Sequence, residues 1–324
     1  MASDYSIKPI SSTAAFAEKA EKHIGVFGSE KWVSIYGSSI QLFGIYQSEE
    51  KLIGGFYFLK TKKAGVSFLK LPPYTPNCGL FFESNHQNKS AQNNFTKELM
   101  NLVCDFIESH KSQLVVLAVP SSINDLQPFI WNNYKVIPNY TYQIDLTNNL
   151  DSIVSNFDAK HRNAIQKAIK ENIEVGFNQI KNEDLFDYFK QHLLDVGANV
   201  YENELKNIFL KFADEKNSFS FTAKKNNEVL GQVFCIYDFN TCYYLFGAVN
   251  KQSGIQGINN LLVLKSIEKA KELNCNLFDF EGSMLKGVEK FFRGFGGDLI
   301  PYFTINKATL PIELALKFKK RSIF

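Results

Sequence analysis

The sequence has few cysteines and no pattern among them. Cys78, Cys104, Cys235, Cys242 and Cys275 are widely spaced, odd in number and form no C-x-x-C pair, which argues against a disulfide framework or a zinc site. His23, His86, His110, His161 and His192 are equally scattered, so neither a metal-ligand spacing nor a Cys/His nucleophilic pair stands out. Long apolar runs are missing as well. No window approaches the roughly 18 apolar residues of a membrane span, and the start, MASDYSIKPISSTAAFAEKAEKHIG, is charged throughout without the apolar centre of a signal peptide. A cytoplasmic protein is the expectation. An excess of one charge is lacking too: 36 Lys+Arg stand against 33 Asp+Glu, for a net charge of +3, which gives no reason to expect a DNA footprint.

What is present is a globular composition, 45% hydrophobic, 21% charged and 14% aromatic, which excludes extended disorder. At roughly 100 to 200 residues per domain the 324 residues suggest about two domains. Residues 12–24 read as an opening amphipathic helix. QLFGIYQ (41–47) and KLIGGFYFLK (51–60) read as a β-hairpin across the polar SEE turn. Pro72, Pro73 and Pro76 set an extended loop, and the Asn-rich stretch 84–94 is polar. Helical spacing runs from Phe95 to His110, followed by QLVVLAV (113–119) as a buried strand. The second half opens on the strand YTYQIDL (140–146), followed by one charged helix over 150–171 and helices over 183–196 and 202–214. SFSFTAKK, EVLGQVFCIYD and TCYYLFGAV are three strands, a helix over 257–273 comes next, and NLFDF (276–280) is a buried strand. The tail 309–324 is a short amphipathic helix.

The halves repeat each other. KLIGGFYFL (51–59) matches EVLGQVFCI (228–236) in apolar pattern and in the aligned Gly54 and Gly231. In both, a hairpin leads through a loop and a helix to an apolar strand.

Three stretches carry chemistry. In GAVNKQSGIQG (247–257) a strand enters a glycine loop that opens a helix, which presents free backbone N–H groups and a positive dipole end to an anion; a flexible lead-in to a helix is the other reading. In FDFEGSMLKGVEKFFRGFGGDLIPYF (278–303) Asp279 and Glu281 end a buried strand ahead of Gly282, Ser283 and Gly287, and a glycine-punctuated aromatic and basic cluster follows. A partly buried carboxylate there is a candidate general base; a core role for Phe291, Phe292 and Phe295 is the alternative. In FDAKHRNAIQKAIK (157–170) Lys160, Arg162, Lys167 and Lys170 make a helix start basic. Arg162 is the better candidate to hold a carboxylate or phosphate, and His161 is expected to be solvated.

The order YTYQIDL, K-x-R-N-x-I-x-K-A (160–168), hairpin strands, then DFEGS with F-F-R-G-F-G-G resembles the Fem-type branch of the GNAT acyltransferases. That branch comprises peptidoglycan aminoacyltransferases and related proteins of bacterial envelope loci. LPPYTPNCG (71–79) and QPFIWNNYKVIPNYTYQIDL (127–146) are similar to segments placed alike in those relatives, so the resemblance covers residues of about 30 to 307. It implies an α/β (α+β) chain of two tandem GNAT-like domains with a cleft between them, 1–138 and 139–303, the second holding the donor and the tail 304–324 packing back on the first. In the peptidoglycan branch a lysine follows the Phe aligned with Phe291; here that position is Phe292, with Arg293 next, which sets the chain apart. It also lacks the heptads of the helical arm found in members that use charged tRNA.

The expectation is an N-acyltransferase that moves an acyl or aminoacyl group from an activated carrier, acyl-CoA, to an amine of an envelope or polysaccharide precursor, with no metal. Glu281, with Asp279, removes the amine proton, and Arg293 or backbone N–H groups steady the oxyanion. Gln252, Gly254, Gln256 and Gly257 hold the pyrophosphate. Lys160, Arg162, Ser283, Lys286 and Phe291 face substrate, with Tyr74, Tyr201 and Tyr244 as cleft aromatics. The alternatives are an aminoacyl-tRNA-dependent transferase and a non-catalytic binding module on the same fold. Lys317, Lys319, Lys320 and Arg321, beside Leu314, Leu316 and Phe318, read as a packed C-terminal helix with solvated lysines, with peripheral contact with an anionic membrane as the other reading.

Overall fold

Alternating apolar runs become strands and 3.6-period runs become helices, in two compact units. The computed structural model describes residues 4–48, 50–178 and 183–319. One unit takes in the chain up to Asn139 and from Pro301 onward; the other is Tyr140–Ile300.

The first unit begins with β1 (Tyr5–Pro9), α1 (Thr13–Ile24) and α2 (Glu30–Ser34). Then come β2 (Ile40–Gln47), β3 (Lys51–Lys63), β4 (Val66–Lys70) and β5 (Phe81–Phe82), followed by α3 (Lys89–Ser109), β6 (Leu114–Val119) and α4 (Gln127–Trp131). β2 and β3 form the expected hairpin, β3 pairs antiparallel with β4, and α3 is the crossover that returns β6 parallel to β4. α3 starts earlier than its apolar spacing suggests because Asn88 caps it, accepting from the N–H groups of Ser90 and Ala91.

The second unit is entered along β7 (Lys135–Asp145) and holds α5 (Leu150–Ser155), α6 (Ala159–Lys170), β8 (Glu174–Phe177), α7 (Glu183–Asp195) and α8 (Glu202–Asn207). β9 (Ser218–Lys225), β10 (Glu228–Tyr237) and β11 (Thr241–Val249) form an antiparallel meander. α9 (Ile258–Glu272) then crosses over to β12 (Leu277–Asp279), parallel to β11, and α10 (Lys286–Arg293) follows. β7 pairs antiparallel with β12. The chain ends with β13 (Asp298–Ala308), antiparallel to β6 over Phe303–Ala308, and α11 (Leu310–Lys319). Lys320 and Arg321 of the basic tail lie outside the described residues. No described helix is long and apolar enough to cross a membrane.

The repeat is physical as well as textual. β3 skips Ile53 in its register with β2, and β10 skips Leu230 in its register with β9. These two bulged residues occupy the same place in the aligned segments, each one residue ahead of Gly54 or Gly231.

Each unit has its own core. Phe43, Phe56, Phe58, Leu99, Val103 and Leu117 belong to the first; Ile165, Val233, Leu262, Ile267, Phe278 and Phe295 belong to the second. The five cysteines are buried free thiols.

Three expectations need correction. The helix read over 150–171 is broken into α5 and α6: Phe157 turns into the core and Asp158 caps α6 by accepting from the His161 N–H. His161 is also not solvated. It is buried, with Nδ1 2.7 Å from Asp158 Oδ1 and Nε2 2.9 Å from the carbonyl oxygen of Phe291. The segment 286–293, read as part of a loop cluster, is the helix α10.

Candidate active site

In the second unit the parallel strands β11 and β12 stay together for only three residues. Thr241, Cys242 and Tyr243 pair with Leu277, Phe278 and Asp279. β11 continues to Val249, whereas the chain after Asp279 turns toward β7, with the Phe280 N–H donating to Tyr142 O at 3.1 Å. A wedge therefore opens beside residues 244–249. Leu245 bulges there, since Phe246 faces Phe234 and Tyr244 faces Cys235, which re-aims the local backbone groups.

One wall of the wedge is aromatic. The Tyr244 ring meets Phe278, Phe280 and Phe292 with centroids 5.8–6.5 Å apart. Its hydroxyl donates to Asn259 Oδ1 at 3.1 Å, tying β11 to the first turn of α9. Gly247 is required on this strand because a Cβ would lie 1.6 Å from that hydroxyl. Tyr244 thus acts from within the core and positions α9.

No side chain caps α9 at Gly257, so the first-turn N–H groups keep their positive dipole end. Gly257 has φ +86°, and a Cβ there would stand 2.0 Å from Ala164 O of α6. Gly254 faces open space, and Gln252 and Gln256 are exposed. Lys251 is exposed in the same loop, and His192 of α7 is close to it: burial pushes the His192 imidazole below its ordinary range, opposed by the Asp195 charge and aided by that of Lys251. Sequence reading missed both residues, which are too far apart along the chain to form a motif.

At the end of β12 two carboxylates behave differently. Asp279 is buried and accepts from the Thr141 hydroxyl at 2.6 Å, the Gln143 amide at 2.7 Å and the Glu281 N–H at 2.7 Å. Glu281 is half-buried, and its carboxyl has no hydrogen-bond or ion-pair partner among the described residues. Its backbone is left-handed, φ +64°, a conformation that a glutamate holds only where the surroundings impose it. The imposition is visible: Gly282 N–H donates to the Thr141 hydroxyl at 3.1 Å, and both the Ser283 N–H and hydroxyl donate to Tyr140 O. Burial and the adjacent Asp279 push the Glu281 carboxyl well above the ordinary carboxylate range. Tyr243, where the strands part, is raised first by burial and then by charges that include Glu281 and Asp279, so it stays protonated at neutral pH.

The other expected residues are dispersed. Ser283 is buried and serves the loop, Phe291 is half-buried on α10, Phe292 and Phe295 are core, and Lys286 is exposed. Arg293 is exposed and sits 3.5 Å from Glu289, which also accepts from the Tyr142 hydroxyl at 2.9 Å. Lys160 is exposed at the start of α6. Arg162 uses Nη1 on the carbonyl oxygens of Ser155 and Phe157 at the end of α5, beside a recess of about 470 Å³ that it lines with Val154, Leu264 and Glu268. Tyr201 is exposed ahead of α8, and Tyr74 belongs to the first unit, with φ +61°.

No family model matches the chain, and no curated protein sequence does. Solved structures do. FemX is 13% identical at a TM-score of 0.65, over 96% of this chain and 99% of its own. L-PGS from Bacillus licheniformis is 12% identical at 0.56, over 95% and 96%. A tandem GNAT protein from the clavulanic acid biosynthesis pathway is 8% identical at 0.55, over 93% and 97%. At such identities the likeness is one of fold, and along almost its whole length the chain has the tandem GNAT fold in the form that FemX also takes.

Proposed function

We propose that the protein is an N-acyltransferase whose second unit holds a coenzyme A thioester and passes its acyl group to an amine. The observation that carries this reading is the wedge between β11 and β12, with an uncapped helix on the strand that leaves it and an unpartnered, raised carboxyl two residues beyond the last paired residue of β12. The pantetheine arm would run along the unpaired edge of β11, and its pyrophosphate would meet the N–H groups of α9, with Gly254 and Lys251 alongside.

In the reaction the amine nitrogen attacks the thioester carbonyl, Glu281 takes the proton released from nitrogen, the carbon–sulfur bond breaks and the thiolate leaves. A carboxyl held above its ordinary range suits this transfer. Asp279 is a positioning residue, since its acceptor atoms are all engaged within the protein. Tyr243 is our candidate for returning a proton to the departing thiolate. Arg293 is less suited than backbone N–H groups to steady the oxyanion, because it is exposed and paired with Glu289.

The test is calorimetric titration of the full chain with acetyl-CoA and longer acyl-CoAs, followed by a free-thiol release assay with amine acceptors before and after ribonuclease treatment. Binding and ribonuclease-resistant thiol release are expected. Activity that requires charged tRNA and is lost to ribonuclease would replace the donor in this reading, and absence of any donor binding would leave a non-catalytic module.

A further inference from the structure

The first unit has its own recess beside its crossover helix, built from different chemistry. Between the N-terminal half of α3, residues 122–127 and Phe82 lies a cavity of about 490 Å³. Its walls carry amides and hydroxyls, among them Asn93, Asn94, Asn124, Gln127 and Ser122. The side chains of Asn93, Asn94 and Asn124 have no protein partner among the described residues. Charge in the recess cancels: Lys97 Nζ lies 2.6 Å from Asp125 Oδ1 and 2.5 Å from Gln127 Oε1. At the start of α3 the Asn88 side chain already engages the N–H groups of Ser90 and Ala91. At the rim stands Trp131, 62% exposed, with the Lys97 ammonium 4.7 Å from its ring centroid.

Each planar amide offers donors and an acceptor side by side, which suits neighbouring hydroxyl groups. An exposed indole supplies an apolar face for the C–H side of a pyranose ring, and the neutralised ion pair gives no preference for an anion. We propose that this recess of the first unit is a binding site for a neutral saccharide. The site is independent of the acyltransferase reading, since none of its residues belongs to the wedge of the second unit.

Tryptophan fluorescence reads it directly. The chain has two tryptophans, and Trp32 is 0% exposed, so a ligand-induced change reports Trp131. The full chain is titrated with diacetylchitobiose and with maltose, and with sodium phosphate as the anionic control. A saturable change is expected with at least one sugar, at a Kd of about 1 mM. It should weaken about tenfold or more in Asn94→Ala/Asn124→Ala, two exposed positions whose replacement leaves the thermal midpoint unchanged. In Trp131→Phe the signal disappears while ligand-observed NMR still detects the sugar. No saturable response to either sugar by both methods, an unaltered affinity in the double variant, or an equal response to phosphate would each overturn the site.

Discussion

Asp279 and Glu281 are two residues apart and do opposite things. Asp279 gathers three donors and holds the loop; Glu281 is held away from every donor. Replacing Glu281 by Gln should therefore separate activity from stability. Turnover is expected to fall about a hundredfold or more, as for loss of a general base. Stability should move the other way. The folded protein keeps the Glu281 proton to higher pH than the unfolded chain, so this group lowers stability as pH rises from the ordinary carboxylate range through the raised folded value. Melting curves should show Glu281→Gln more heat-stable than the parent at pH 8, with the gap closing at low pH, where both side chains are neutral. Equal turnover would remove Glu281 from the chemistry. By contrast, Asp279→Ala leaves the Thr141 hydroxyl, the Gln143 amide and the Glu281 N–H without their acceptor. It should cost about 2 kcal/mol or more in chemical denaturation.

At the scale of elements, the decisive junction is that of α6 with α10. Asp158 caps α6 and its N–H donates to Gly294 O at 2.9 Å, while His161 reaches the Phe291 carbonyl and packs edge-on against Phe295 at 4.6 Å. Both imidazole nitrogens are engaged, one with Asp158 Oδ1 and the other with the Phe291 carbonyl, so the ring ties the start of α6 to α10. His161→Ala should lose about 2 kcal/mol, and a double-mutant cycle with Asp158→Ala should show coupling above about 0.5 kcal/mol. Additive losses would mean that the two act separately. This junction was not legible in the sequence, because a histidine amid Lys160, Arg162 and Lys167 has the neighbours of a solvated face. Strands and long helices were legible: β2, β3, β9, β10, β11 and α9 follow period and turn chemistry closely. The break between α5 and α6 was hidden by a charge pattern that runs through it, and α10 by its glycines. At the site, the loop and Glu281 could be read from residue types at a strand end. His192 and Tyr243 could not, since their relation to Lys251 and Glu281 is made by folding alone.

At the scale of the molecule, the repeat raises the question of how many donors one chain takes. In the first unit β4 and β6 pair at Phe68–Lys70 with Leu114–Val116 and then part, much as β11 and β12 do. There the gap is already filled. Cys78 donates its N–H to Ala118 O at 2.8 Å, and its carbonyl accepts from the Tyr57 N–H at 2.9 Å, so residues 72–79 lie in it as an inserted chain. The Trp32 indole N–H donates to the Thr75 hydroxyl at 3.1 Å and the Tyr36 hydroxyl to Pro73 O at 2.6 Å, which fixes this insert in the core. The prolines that mark an extended loop in the sequence thus close the first gap, while the glycine loop of 250–257 leaves the second accessible. Of the two places among the described residues where paired parallel strands part, the one beside β11 keeps an open edge for an acyl-CoA. Calorimetry with the intact chain should therefore give one equivalent of donor, and Gly257→Ala should abolish that single event, because a Cβ at φ +86° against Ala164 O must displace the start of α9. Two equivalents, or one that survives this substitution, would assign donor binding to another part of the protein.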